Sequence, residues 1–260
     1  MLLNMTNLAN IPVFLLLFIR ITSFFVTLPL FSYRTIPMPF KIGFSFFLAI
    51  VMFPAINAAG IQVDELYFLL LMKEVFVGVL IGLTASMILS AVQIAGGFID
   101  FQMGFVIANV IDPQTGVQSP LTGQYFYIIA LLFLLSVNGH YLLIDGIYYS
   151  YQFIPADAFI PFKDGNIAEF IITIFNKAFL IAFQMAIPIV GCLFLVDVAL
   201  GIIARAVPQL NVFVVGLPLK IFVSFVVILF FLSLYIVLAK SLFETMFDTM
   251  QGLMKLFGGA

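Results

Sequence analysis

The chain has 260 residues, 64% of them hydrophobic and 8% charged, with a formal net charge of −2. Soluble domains carry about 25% charged residues, so an aqueous core of this length cannot hide so many Phe, Leu and Ile side chains, and the bilayer is the expected solvent. The ten Lys and Arg are scattered without a basic stripe, which argues against a nucleic-acid partner, and the single Cys192 rules out a disulfide within the chain.

The first ten residues contain no Lys or Arg, so they lack the positive region of a secretory signal. The apolar run that follows holds Arg20 at its centre and is expected to belong to the mature protein. Apolar stretches fall at 11–31, 42–59, 66–96, 124–143, 167–197 and 212–239. Each is long enough for a crossing, which takes roughly 20 helical residues. Those at 66–96 and 167–197 exceed one crossing and are expected to tilt, extend beyond the bilayer or break within it. Pro188 and Pro218 lie inside apolar runs and predict kinks.

Between these stretches lie a proline-stiffened turn at 32–39, a small acidic turn at 57–65, a long polar connection at 144–166 and a tight link at 204–211. Beyond residue 240, Leu242, Phe243, Met246, Phe247, Met250, Leu253, Met254 and Phe257 recur every three or four positions, which predicts an amphipathic tail helix. With six spans, Arg34, Lys41 and Arg205 collect on one side and Lys163, Lys240 and Lys255 on the other. That tie leaves the positive-inside rule undecided. The expected fold is an all-α membrane protein of about six long, kinked helices arranged as hairpins, with non-standard topology.

Small residues recur every fourth position at Gly78, Gly82, Ser86 and Ser90, and again at Ala178, Ala182 and Ala186. Such ladders let helices approach closely, either within the chain or at a subunit interface. Arg20, Lys73, Glu74, Lys177, Asp197 and Lys220 lie in or at the ends of apolar segments, and their insertion cost requires that most face protein or water. Lys73 and Glu74 point about 100° apart on a helix, so each is expected to find its partner elsewhere. A proton or ion relay would use Glu74 and Asp197, but lacks a buried path of carboxylates. His140 is the lone histidine and no acidic or Cys cluster accompanies it, so no metal or other cofactor is expected. Zinc-hydrolase, serine-hydrolase and P-loop motifs are absent from the sequence, which speaks against an enzyme.

The segment 98–113 stands apart. Residues 101–123 contain no Lys or Arg, yet Gly, Pro, Asn and Gln interrupt them too often for a plain spanning helix. Irregular backbone at membrane depth requires protein or a water-filled cavity around it. Either it is a structured loop joining two hairpins, or it is a plug. In the plug reading Phe105, Val106, Ile107, Val110 and Ile111 close a lumen. Gly96, Gly97 and Gly104, with Asp112-Pro113, then supply turns and mobility.

The run from Arg20 to Phe31, Phe101-Gln102-Met103-Gly104, Asp112-Pro113, the Asn138-Gly139-His140 turn and the block from Pro208 to Lys220 together resemble the FliR family. These are the R subunits of the type III secretion export gate, with counterparts in virulence injectisomes. The resemblance spans essentially the whole chain. It implies a P-subunit-like region at 1–165 and a Q-subunit-like region at 166–260. It also implies P and Q subunits and the membrane protein FlhB as partners, unfolded export substrates, and a place in the bacterial plasma membrane at the flagellar basal body. The family's plug maps to 105–111, where members often carry phenylalanines and this chain has Ile107, Val110 and Ile111. The link with Arg205, Pro208 and Asn211 maps to the entrance turn beside FlhB. A secondary transporter using Glu74, Asp197 and helices broken near Pro188 and Pro218 is the alternative from another class. A purely structural nucleus for assembly is a third.

Overall fold

The computed structural model describes residues 10–32, 36–56, 61, 63–105, 110–111, 118–160, 166–209 and 211–259. Seven α-helices are formed among them: α1 (Ile11–Thr27), α2 (Met38–Met52), α3 (Glu65–Met103), α4 (Leu121–Ser136), α5 (Gly139–Phe153), α6 (Asn166–Ala206) and α7 (Val212–Gly258). A 3₁₀ turn, Phe53–Ala55, extends α2. The strands β1 (Val110–Ile111) and β2 (Gln118–Ser119) pair antiparallel, Val110 opposite Ser119 and Ile111 opposite Gln118. The chain is an all-α membrane protein apart from this clasp.

Four helices are long and apolar enough to cross a membrane, or five if α4 and α5 form one broken span. This departs from six spans for two local reasons. The first is that α1 has only 17 residues, about 25 Å at 1.5 Å per residue, short of the ~30 Å hydrocarbon core. The second is that the stretch at 124–143 breaks at Asn138, whose φ of +59° lies in the left-handed region. Asparagine tolerates that conformation, and helix direction can change there. The connection expected at 144–166 is instead helical as far as Phe153, and the expected tail helix is the last part of α7. The helices α3, α6 and α7 have 39, 41 and 47 residues, roughly 58–70 Å or twice the core thickness. Both Pro188 and Pro218 are held within their helices rather than ending them.

Two compact units make up the chain. The first comprises Met1–Ile88, Asn138–Phe175 and Glu244–Ala260. Its core holds Leu16, Leu17, Ile21, Phe24 and Phe25 of α1 with Val77 and Ile81 of α3, all fully buried. Glycine makes this packing possible. A Cβ at Gly78 would collide with Ser23 and the backbone carbonyl of Arg20, and one at Gly82 with Thr27 and the carbonyl of Phe24. In the C-terminal stretch Met246, Met250, Leu253, Met254 and Phe257 are buried, with Phe257 beside the Phe76 ring. Gly258 abuts the backbone of Phe153.

The second unit comprises Leu89–Val137 and Asn176–Phe243. Its buried side chains include Ile99 and Met103 of α3, Phe126 and Ala130 of α4, Met185, Ile189 and Leu193 of α6, and Tyr235 of α7. The Tyr235 ring stacks on Phe126 at 4.6 Å while its hydroxyl donates to the Phe126 carbonyl. A phenol placed this way buries its ring without stranding its polar end. In the same unit α3 meets the start of α4 backbone to backbone, because a Cβ at Gly96 would overlap Gly123.

Candidate functional site at the end of helix α3

The end of α3 leads into the segment expected from the sequence to form a plug, and polar contacts hold this helix end in an apolar setting. Asp100 is buried and points at the first turn of α4, where its carboxylate accepts from the backbone N–H of Thr122 at 3.2 Å and from the Thr122 hydroxyl. Pro120, the residue before α4, makes no side-chain cap. Asp100 therefore supplies the capping acceptor from another helix, at the positive end of the α4 dipole. One turn earlier Gly96 abuts Gly123, and Gly97 faces the Pro120 ring. These two glycines lie inside α3, so the expectation that they form turns is corrected. They permit close approach between α3 and α4. Gly104 does make the turn: its φ is +87°, and its N–H donates to the Phe101 carbonyl at 3.2 Å.

Gln102, on the last turn of α3, reaches toward α6 and α7. Its side-chain amide donates to Asp197 Oδ2 at 2.8 Å. The other Asp197 oxygen, Oδ1, pairs with the Lys220 ammonium, which lies 3.5 Å from the Gln102 carbonyl oxygen. One carboxylate of α6 thus holds both the root of the loop and a cation of α7. Its side chain is 36% exposed and that of Lys220 is 22% exposed, so the expected buried charge at Lys220 is corrected to a half-exposed one. A cavity of about 400 Å³ adjoins the trio, with Phe101, Gly104, Leu200, Gly216 and Leu217 among its walls. Phe105 is half-buried just beyond. Of the other residues expected in the plug, Val110 and Ile111 contribute backbone to β1, while Val106 and Ile107 lie outside the described residues, as do Asp112 and Pro113.

The intramembrane charges in the first unit have a different character. Arg20 donates through Nη2 to Glu74 Oε1 at 2.9 Å and to the Ile154 carbonyl at 2.9 Å, through Nη1 to Ser150 Oγ at 3.1 Å, and through Nε to Glu74 Oε2. Its guanidinium also lies 3.9 Å from the centre of the Tyr151 ring. Lys73 donates to the carbonyls of Pro155, Ala156 and Ala158 at 2.8–3.0 Å. It also sits 2.8 Å from Glu74 Oε1, which corrects the expectation that these neighbours do not pair. The flexible four-carbon stem of lysine overcomes the angular separation of adjacent helix positions. Arg20 and Glu74 are fully buried, and every strong donor and acceptor in the group has a partner, as buried charge requires.

The remaining candidates are placed as follows. Ser86 and Ser90 are half-buried on α3, and Ala178, Ala182 and Ala186 are buried on α6. Arg205 is exposed in the last turn of α6, and Pro208 and Asn211 are exposed in the link to α7. The carbonyl of Asn211 accepts from Val214 and Val215, starting α7. His140 is half-buried, and its Nδ1 has no hydrogen-bond partner among the described residues. No trio of His, Cys, Asp or Glu is placed to hold a metal among the described residues. Sequence reasoning missed Asp100 and Thr122. The available signal was an acid inside an apolar run, 22 residues before the Thr122 whose N–H it caps.

Residues 11–246 match the family described as bacterial export proteins, family 1. The chain belongs to that family. This family member is 58% identical over 249 residues to the flagellar biosynthetic protein FliR of Bacillus subtilis (strain 168), covering 95% of this chain and 96% of the relative. It is 26% identical to FliR of Escherichia coli (strain K12), with 88% of each chain covered. It is also similar to the Yop proteins translocation protein T of Yersinia pestis, at 31% identity over 79% of this chain and 80% of the relative. Every element of the site at the end of α3 falls inside the family match.

Proposed function

We propose that this chain is the R subunit of a flagellar type III protein export gate, and that residues 105–111 plug the pore through which unfolded flagellar substrates leave the cell. The observation that carries the reading is full-length kinship to a flagellar FliR at 58% identity. The double anchoring of the loop root, by Asp100 of α3 against the start of α4 and by Asp197 of α6 on Gln102, supports the plug assignment. A seal of apolar side chains has to be held in one place to exclude ions. The partners are P and Q subunits and the membrane protein FlhB, in the bacterial plasma membrane at the flagellar basal body. The P-like region is 1–165, the Q-like region is the α6–α7 hairpin that begins at Asn166, and the exposed Arg205 turn faces FlhB. The 58% identity to a flagellar FliR is what favours a flagellar over an injectisome setting. A transporter would need Glu74 free to take up a solute, yet both of its oxygens are held by Arg20 and Lys73.

Native mass spectrometry of the tagged chain, extracted from its own host's membranes in mild detergent, tests the assembly. One copy with several copies of two small hydrophobic partners is expected; a partnerless monomer or homodimer would remove the reading. The same assembly carrying Ile107→Gly and Val110→Gly is expected to leak ions in liposomes. Unchanged conductance of an intact complex would reduce the segment to a structural loop.

A further inference from the structure

We infer that Asp197, bridging Gln102 and Lys220, is the positioning residue that latches the end of α3 in the closed arrangement of the gate, an inference that rests on the plug reading above. Three features of the trio separate a releasable latch from permanent structure. First, its location: Gln102 is two residues before the positive-φ Gly104 that follows the end of α3, so whatever holds Gln102 sets where the chain leaves the helix.

Second, its strength is intermediate. The Arg20–Glu74 pair is wholly buried, with a hydroxyl, a carbonyl and an aromatic ring completing it. Such a pair does not open, because separating it leaves an uncompensated charge away from water. The Lys220–Asp197 pair is 22% and 36% exposed beside an open cavity. Neither charge is enclosed by the chain's own core, so parting them strands neither one within it. The directional element is then the charge-assisted hydrogen bond from the Gln102 amide. A contact of that size holds a resting state yet yields to a substrate entering the pore.

Third, there is room for movement. A Cβ on Gly104 would find Leu217 at 3.7 Å, ordinary contact, and one on Gly201 would meet nothing within 4 Å. Within this chain, space is left beside Gly104 and Gly201, both of which line the cavity. The roles divide accordingly: Gln102 carries the root of the plug, Asp197 holds Gln102, and Lys220 orients Asp197.

The test uses the complete assembly, purified from its host and reconstituted in liposomes, with resting ion leak as readout and native mass as the check on subunit content. Gln102→Met keeps the side-chain volume and the ion pair but removes the amide. Asp197→Asn removes the charge that Lys220 and Gln102 share. Each is expected to raise the open fraction about tenfold, equivalent to ~1.4 kcal/mol lost from the closed state. Asp197→Glu, which keeps the carboxylate, is expected to leak less than Asp197→Asn. A merely structural aspartate would not rank the two that way in assemblies of equal mass. If Gln102→Met and Asp197→Asn assemblies stay tight while the Ile107→Gly, Val110→Gly assembly leaks, the latch is wrong and the plug stands. If none of them leaks, the plug reading falls and takes the latch with it. Should Asp197→Asn prevent assembly, Gln102→Met alone decides, because it leaves both charges in place.

Discussion

Arg20 and Glu74 are charges buried to 0% exposure, and the way they are satisfied sets what a single change there does. Glu74 faces two cations, Arg20 and Lys73. Replacing Glu74 with Gln leaves both in an apolar interior with one acceptor between them. Breaking a buried pair by removing one partner costs about 3–5 kcal/mol, so Glu74→Gln is expected to lower the detergent-solubilised melting temperature and the steady-state amount of chain. The double variant Arg20→Met, Glu74→Met should recover part of that loss, since it removes the stranded charge together with the acceptor. A double variant no more stable than Glu74→Gln would mean that the pair stabilises the fold beyond its own desolvation. Both residues stood out in the sequence as charges in apolar runs. Their mutual pairing across 54 residues did not, because helical periodicity relates neighbours three and four apart and is silent about distant ones.

Helix pairing in this protein depends on glycine at the points of closest approach. Gly78 and Gly82 set the distance between α3 and α1, and Gly96 sets that between α3 and α4. At Gly96 the obstruction is backbone of Gly123 rather than the end of a flexible side chain. Gly96→Ala is therefore expected to push the start of α4 away from α3 and weaken the Asp100–Thr122 cap. Overpacking of this kind costs typically about 1–3 kcal/mol. Limited proteolysis across 104–120 would report it as faster cleavage than in the parent, with Gly43→Ala, a position with nothing within 4 Å of the added carbon, as the matched control. Equal cleavage of Gly96→Ala and parent would show that α4 yields without loosening the loop root. The four-residue ladder at 78–90 was legible as a close-packing face, while its partner was not. Spacing alone does not distinguish a helix of the same chain from a neighbouring subunit. Collision with Arg20, Ser23 and Thr27 assigns Gly78 and Gly82 to α1.

For the chain as a whole, the uncovered apolar surface is the controlling quantity. Only 22% of the apolar window of α6 and 17% of that of α7 is buried. Phe222, Leu229, Phe230 and Val237 stand out along α7, with Phe230 81% exposed. Such faces need lipid or partner subunits, because water would penalise them heavily. Phe230→Asp is expected to reduce membrane insertion or recovery of the assembly, given a cost of about 2.5–3.5 kcal/mol for Asp at a helix centre in the bilayer. The fraction of chain in the membrane and the native mass of the complex would register it. Full recovery of both would mean that this face meets neither lipid nor partner.

Composition and apolar run length sufficed to establish a helical membrane protein. Both follow from the short-range demand that backbone polar groups be satisfied within the segment when lipid surrounds it. The amphipathic spacing of Met246, Met250, Leu253 and Phe257 likewise required only local periodicity. The tertiary structure alone showed that α3 runs on through Gly96 and Gly97, that Asp100 caps a helix beginning at Leu121, and that Asp197 reaches Gln102 across 95 residues. Those outcomes depend on which distant groups meet. A glycine reads as a turn or as a contact, and an aspartate as a relay or as an anchor, until the opposing backbone or side chain is in place.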